Sequence, residues 1–148
     1  MQIAIGSDHG GFKLKKTIIA FLQKKNKDIK DFGAYSEESC DYPQFAYAVA
    51  RYVAEKPAGR RGILICKSGI GNSIVANKVR GVRAALCHNV LAARLSRQHN
   101  DANVLVIGAR FNSTKTVQRM ITAWLATEFE GGRHLRRIKQ IERIERNV

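Results

Sequence analysis

A chain of 148 residues with 45% hydrophobic content is long enough to bury about two-thirds of its unfolded surface in one compact domain, without a metal or disulfide staple. Its 26 Lys and Arg against 12 Asp and Glu leave a formal charge of +14, a field that attracts nucleic acids and phosphorylated metabolites alike. The basic residues are scattered along helical stretches (Lys13, Lys15, Lys16, Lys24, Lys25, Lys27) and gathered again at Arg133, Arg136 and Arg137 without interleaved aromatics, so no nucleic-acid partner is expected. No stretch of about 20 apolar residues offers a membrane span.

The first predicted strand is residues 2–5, QIAI. It has neither the basic start nor the apolar length of an export signal, and the cysteines (Cys40, Cys66, Cys87) are odd in number with no CxxC pair, so free thiols in a reducing cytoplasm are expected. The strand is followed by GSDHGG, which delivers Asp8 and His9 in a glycine-flanked turn, and then by helical periodicity over 11–25. Asp8 reads either as a helix cap or as a site carboxylate, and His9 either as an exposed ring or as a ligand.

A weaker strand at 28–32 and a helix over 43–55 come next, then the apolar run GILIC at 62–66. After it comes Cys66-Lys67-Ser68-Gly69-Ile70-Gly71-Asn72-Ser73, whose glycines admit close backbone approach while the following helix start, expected over 72–79, offers free N–H groups to an anion. The segment matches neither GxGxxG nor GxxxxGK[ST] and so gives little support to a nucleotide. A thiol facing a helix start should be favoured as thiolate, which makes Cys66 a candidate base or nucleophile; Cys87, inside the next strand, and Cys40 read as core residues.

The chain continues with a strand at 82–87, a helix over 89–97, SRQHNDAN carrying His99 and Asn100, a strand at 103–107, Arg110 in IGAR, and a helix over 114–128. His99 is either a proton shuttle or a helix-end cap, and His88 and His134 are left as caps. Arg110 suits a phosphate, and Arg133 and Arg137 share a face if their helix begins that early. In the segment from 130 to 148, Leu135, Ile138, Ile141 and Ile144 recur at steps of three on a charged helix, a stripe that calls for a partner subunit. The four histidines are dispersed without HxxxH or HExxH spacing, so no metal site is expected.

Strands alternating with helices imply a doubly wound parallel sheet in a single domain, residues 1–148, with ligands gathered beyond the carboxyl ends of the strands. GSDHGG, Asp41-Tyr42-Pro43, CKSGIGNSIVANK, SRQHNDANVLVIGAR and FEGGRH, in this order across nearly the whole chain, resemble ribose-5-phosphate isomerase type B. The resemblance implies a Rossmann-like three-layer α/β/α sandwich around five parallel strands. It further implies a homodimer, sometimes paired into tetramers, whose active sites combine both subunits, and a cofactor-free aldose–ketose isomerase passing through a cis-enediol.

By the same resemblance, Asp8 and His99 open the sugar ring, Cys66 removes the C2 proton, and Ser68 relays a proton between the two oxygens. Gly69, Gly71 and Asn72 surround the enediolate, Tyr42 and Asn100 line the sugar site, and His9, Arg110, Arg133 and Arg137 hold the phosphate. Some relatives carry a Glu base where this chain has Asn72, which leaves Cys66 as the base. The family loop usually reads Cys-Gly-Thr-Gly or Cys-Gly-Ser-Gly, so Lys67 is a departure: strained if its backbone requires positive φ, and otherwise a cation that lowers the thiol pKa. Galactose 6-phosphate or allose 6-phosphate isomerases share these motifs, and a phosphosugar-binding relative without catalysis is a third reading.

Overall fold

The computed structural model describes residues 1–148. The strands are β1 (Gln2–Ser7), β2 (Asp28–Asp31), β3 (Arg60–Cys66), β4 (Ala84–Leu86) and β5 (Val104–Gly108). The helices are α1 (Phe12–Lys24), α2 (Tyr42–Glu55), α3 (Ile70–Ala76), α4 (Val90–Asn100), α5 (Thr114–Ala126) and α6 (Arg133–Arg146). All pairings are parallel, in the order β2-β1-β3-β5-β4, so the direction of winding reverses between β1 and β3.

The period of two along each strand builds two cores. Ile3, Ile5, Ile63, Ile65, Leu105 and Ile107 face one layer, where α1, α4 and α5 contribute Ile18, Leu22, Ala93, Met120, Ile121 and Trp124. Ala4, Leu64, Val104 and Val106 face the other, against Ala46, Val49, Ala50 and Val53 of α2 and Ala76 of α3. This is the expected three-layer sandwich, with the near-continuous apolar strands explained by burial on both faces.

The boundaries differ where the chain is held by side chains. β4 is only three residues long, because Arg83 N–H bonds the Asn103 side chain at 2.8 Å and takes Val82 and Arg83 out of the expected strand. Helix α3 starts at Ile70 rather than 72, because Gly69 supplies a left-handed cap at φ 82. An added Cβ there would sit 2.4 Å from Leu86.

The proposed C-terminal stripe is not a single stripe. Steps of three on a helix of 3.6 residues per turn drift by about 60° each, so four such positions cover half the circumference. Accordingly Ile138 is buried against the domain while Leu135, Ile141 and Ile144 are exposed. The helix does begin at Arg133, which sets Arg133 and Arg137 one turn apart. No helix is long and apolar enough to cross a membrane.

Candidate active site at the strand ends

Three strand ends converge at the point where the winding reverses. Beyond β1, Asp8 adopts an extended backbone and accepts the Gly11 N–H at 3.0 Å, capping the 3₁₀ turn His9–Gly11 that leads into α1. The cap and site readings of Asp8 are compatible, since the same buried carboxylate lies close enough to Cys66 for its charge to bear on the thiol. His9 is fixed through Nδ1, which accepts the Cys40 N–H at 3.2 Å. A neutral His9 therefore carries its proton on Nε2, a donor for an anion.

Beyond β3, Cys66 is 5% exposed and its Sγ accepts the Gly69 N–H at 3.0 Å. The expectation of a favoured thiolate is corrected here. Burial pushes the Cys66 thiol above its ordinary value and the Asp8 charge adds to this, outweighing the N–H groups of Gly69, Asn72 and Ser68 that favour the thiolate. The net direction is upward despite the adjoining Lys67. Nor is Lys67 strained: positive φ falls on Gly69, and among residues other than glycine only on Asn26 and Asp101. The Lys67 stem lies over Gly10, its Cγ 2.8 Å from where a Cβ of that glycine would be.

The Ser68 hydroxyl accepts the Ile70 N–H at 3.3 Å, and the N-terminus of α3 carries Gly71 and Asn72 behind it. An added Cβ at Gly71 would come within 2.4 Å of the Tyr42 ring, so only glycine lets the first residue of α2 lie on this loop. Asn72 is 1% exposed with an unpaired Oδ1, and at the end of β1 the Ser7 Oγ is likewise buried and unpaired. Two buried polar atoms without partners, one at a strand end and one in the first turn of α3, mark this edge as a place built for polar guests. The β5 end is tied to the same loop, through Ala109 N–H to Cys66 O at 2.8 Å and Arg110 N–H to Lys67 O at 3.0 Å, which leaves the Arg110 side chain exposed at the rim.

The remaining candidates lie at the opposite edge. Helix α4 runs back toward the strand starts and ends at Asp101 in a left-handed conformation, φ 44, held by Arg97 at 2.6 Å and Arg83 at 3.0 Å. His99 and Asn100 are its last residues, and the Asn100 carbonyl accepts from Arg83 at the start of β4. Gly62 pairs with Val104 and Cys66 with Gly108, so four residues of strand, about 13 Å, separate Cys66 from the sheet edge where His99 sits. Arg133 and Arg137 join His99 there, since Glu130 N–H bonds Gln98 O and leads directly into α6.

The sequence reading missed several residues. Cys40 is not core but half-buried and orients His9, a role visible only once the 40s loop is folded across β1. Cys87 is core as expected, its thiol pushed up to about 11 by burial. His134 caps no helix end; it opens α6, is 6% exposed, and stacks on His99 with ring centroids 4.2 Å apart. Its pKa is lowered, by desolvation first and by His99 and Arg133 next. Two of the four histidines, His99 and His134, are therefore together in space, although only the Glu130–His134 spacing hints at it.

A family model described as Ribose/Galactose Isomerase matches residues 3–141. Ribose-5-phosphate isomerase B of Escherichia coli is 45% identical over 144 residues, 97% of this chain and 96% of that protein. Among solved structures, ribose-5-phosphate isomerase B of Clostridium thermocellum is similar at a TM-score of 0.96 and 48% identity, with 99% of both chains covered. That of Mycoplasma genitalium, solved with ribulose 5-phosphate bound, is similar at a TM-score of 0.96 and 42% identity, covering 99% of this chain and 97% of that one. Agreement of this extent in sequence and fold makes the chain a member of the ribose/galactose isomerase family.

Proposed function

We propose that this protein is a cytoplasmic aldose–ketose isomerase that interconverts ribose 5-phosphate and ribulose 5-phosphate, with Cys66 as the base and each site completed by a second copy of the chain. The observation that carries the reading is the Cys66 thiol held at the N-terminus of α3, accepting the Gly69 N–H at 3.0 Å beside the Asp8 carboxylate. Relatives that share the fold are named for this reaction.

Ring opening is assigned to Asp8 and to His99 of the second copy. The Cys66 thiolate then takes the proton from C2, leaving an enediolate whose charge the N–H groups between Gly69 and Ser73 receive; one such donor is worth about 3–4 kcal/mol in the transition state. Ser68 carries a proton from O2 to O1, and the Cys66 thiol returns its proton to C1, so the ketose forms with no net loss of protons or electrons. Tyr42 and Asn72 border the sugar, with Asn100 supplied by the second copy. His9 Nε2–H and Arg110 bind the phosphate, with Arg133 and Arg137 of the second copy.

Two features support assembly. His99, Arg133 and Arg137 stand at the edge of the sheet opposite Cys66, and Leu135, Ile141 and Ile144 of α6 present apolar surface to solvent. The test is turnover by the Cys66→Ala variant against wild type, with ribose 5-phosphate, galactose 6-phosphate and allose 6-phosphate as substrates. Loss of a proton-transfer base costs about 10²–10⁴-fold. Near-wild-type pentose turnover by the variant overturns the base assignment, and turnover of a hexose phosphate alone moves the substrate.

A further inference from the structure

We propose that His99, Glu130 and His134 form a binding site for a divalent cation of the zinc class, and that the bound ion reversibly inhibits the enzyme by withdrawing His99 from the substrate. The inhibitory half of this inference rests on the isomerase reading above; the metal site does not.

The three side chains come from separate elements, His99 from the last turn of α4, Glu130 from the segment after α5, and His134 from the first turn of α6. Their ligand atoms all lie within 4.8 Å of one another. His134 Nε2 is 3.5 Å from Glu130 Oε2 and His99 Nε2 is 4.0 Å from the same oxygen. A tetrahedral zinc with bonds of about 2.0–2.2 Å holds its ligand atoms about 3.4 Å apart. The Glu130–His134 pair thus already has ligand spacing, His99 has about 0.6 Å to close toward Glu130, and the widest separation among the three, up to 4.8 Å, closes only as the two rings turn.

A second observation is independent of the cluster itself. His134 is 6% exposed and its Nε2 is a buried atom with no hydrogen-bond partner, although it faces the Glu130 carboxylate. Buried polar atoms in folded proteins almost always find a partner, and a metal ion is one that accepts a neutral imidazole lone pair. The two rings are near-parallel, 9° between planes, so binding requires them to turn until both lone pairs meet. His99, with 37% of its side chain exposed, has room to turn. Two imidazoles and one carboxylate leave a fourth position for water, the donor set of an open zinc site. Arg133 and Arg137, on the first two turns of α6, repel a dication, so micromolar affinity is expected rather than the tighter binding of a structural site.

The experiment uses the untagged full-length chain, stripped with chelator and titrated with cobalt(II). One equivalent per chain is expected to give the visible bands of a tetrahedral ion without a near-ultraviolet thiolate charge-transfer band, and zinc should displace it. Glu130→Gln should weaken binding about tenfold or more, and His134→Gln should abolish the bands. Ribose 5-phosphate turnover should fall as zinc is added and return on chelation, with Glu130→Gln retaining turnover at zinc concentrations that silence wild type. Absence of the bands, bands that persist in both variants, or a thiolate band pointing to Cys40 or Cys66 overturns the site. Full turnover at saturating zinc overturns the inhibition. A metal-free chain that turns over nothing refutes the isomerase reading and leaves the cobalt result to stand alone.

Discussion

A site divided between two copies predicts that two dead variants revive each other. Proton transfer requires the acting group within about 2.6–3.2 Å of its target or one water beyond it. Within one chain, about 13 Å of strand alone separates Cys66 from the edge that carries His99. Cys66→Ala and His99→Asn should each lose turnover by about 10²–10⁴-fold. In a dimer containing one of each, both defects fall in the same site and the other site is intact. Random reassortment of equal amounts makes half of the dimers mixed, so the mixture should recover about one quarter of wild-type activity, and mixed dimers purified through two different tags about one half. His99 is partly exposed at a helix end, so its replacement leaves the core untouched. If the purified mixed dimer is as silent as its parents, the two residues act within one chain and the split site is wrong.

The free-enzyme pH profile should report the raised Cys66 thiol: kcat/KM for ribose 5-phosphate climbs with pH past the ordinary thiol range, and a plateau reached near neutrality would contradict the burial argument. Cys87, buried and pushed up to about 11, ionises in the unfolded chain before it does in the folded one. Its contribution is therefore fully present below the unfolded value and is lost as pH rises toward 11, by up to about 3 kcal/mol. Denaturant midpoints for wild type should fall more steeply across that window than those of Cys87→Ala. Lys67→Gly, which restores the family's usual loop residue, should cost about 0.4–1 kcal/mol in chemical denaturation through unfolded-chain entropy, because the Lys67 backbone is not at positive φ; a stabilised variant would reveal strain.

The layered fold was readable because burial on both faces forces apolar strands, and because helix periodicity survives in α1, α2 and α5. Strand ends were less readable: β4 shrinks to three residues only because Asn103 captures Arg83, a contact between segments 20 residues apart. Asp8, Cys66, Ser68, Gly71, Asn72 and Arg110 could be placed together from chain order alone, since loops after parallel strands converge. His134 and Glu130 could not, because what unites them with His99 is the turn after α5, and that turn has no periodicity to read. The Cys66 titration was misjudged for a similar reason. A helix start is visible in sequence, while the depth of burial and the nearness of Asp8, which together prevail, are tertiary facts.

The raised thiol is compatible with the role of base proposed for Cys66. Burial that disfavours the thiolate in the resting site also makes that thiolate a stronger base once formed, and the N–H groups that partly offset burial are the same ones placed to receive the enediolate. Asp8 bears on the resting thiol and disfavours its ionisation, while Arg133 and Arg137 stand at the far edge of the sheet. In the proposed split site a second copy would bring two guanidiniums and His99 toward Cys66 and Asp8, so the proposed base would be completed electrostatically only when the dimer and the phosphate anchor are completed. On that account disassembling the dimer should reduce kcat as well as raise KM. Substituting Arg137 alone in an intact dimer should chiefly raise KM, and equal effects on the two parameters from both perturbations would show that assembly contributes nothing beyond phosphate binding.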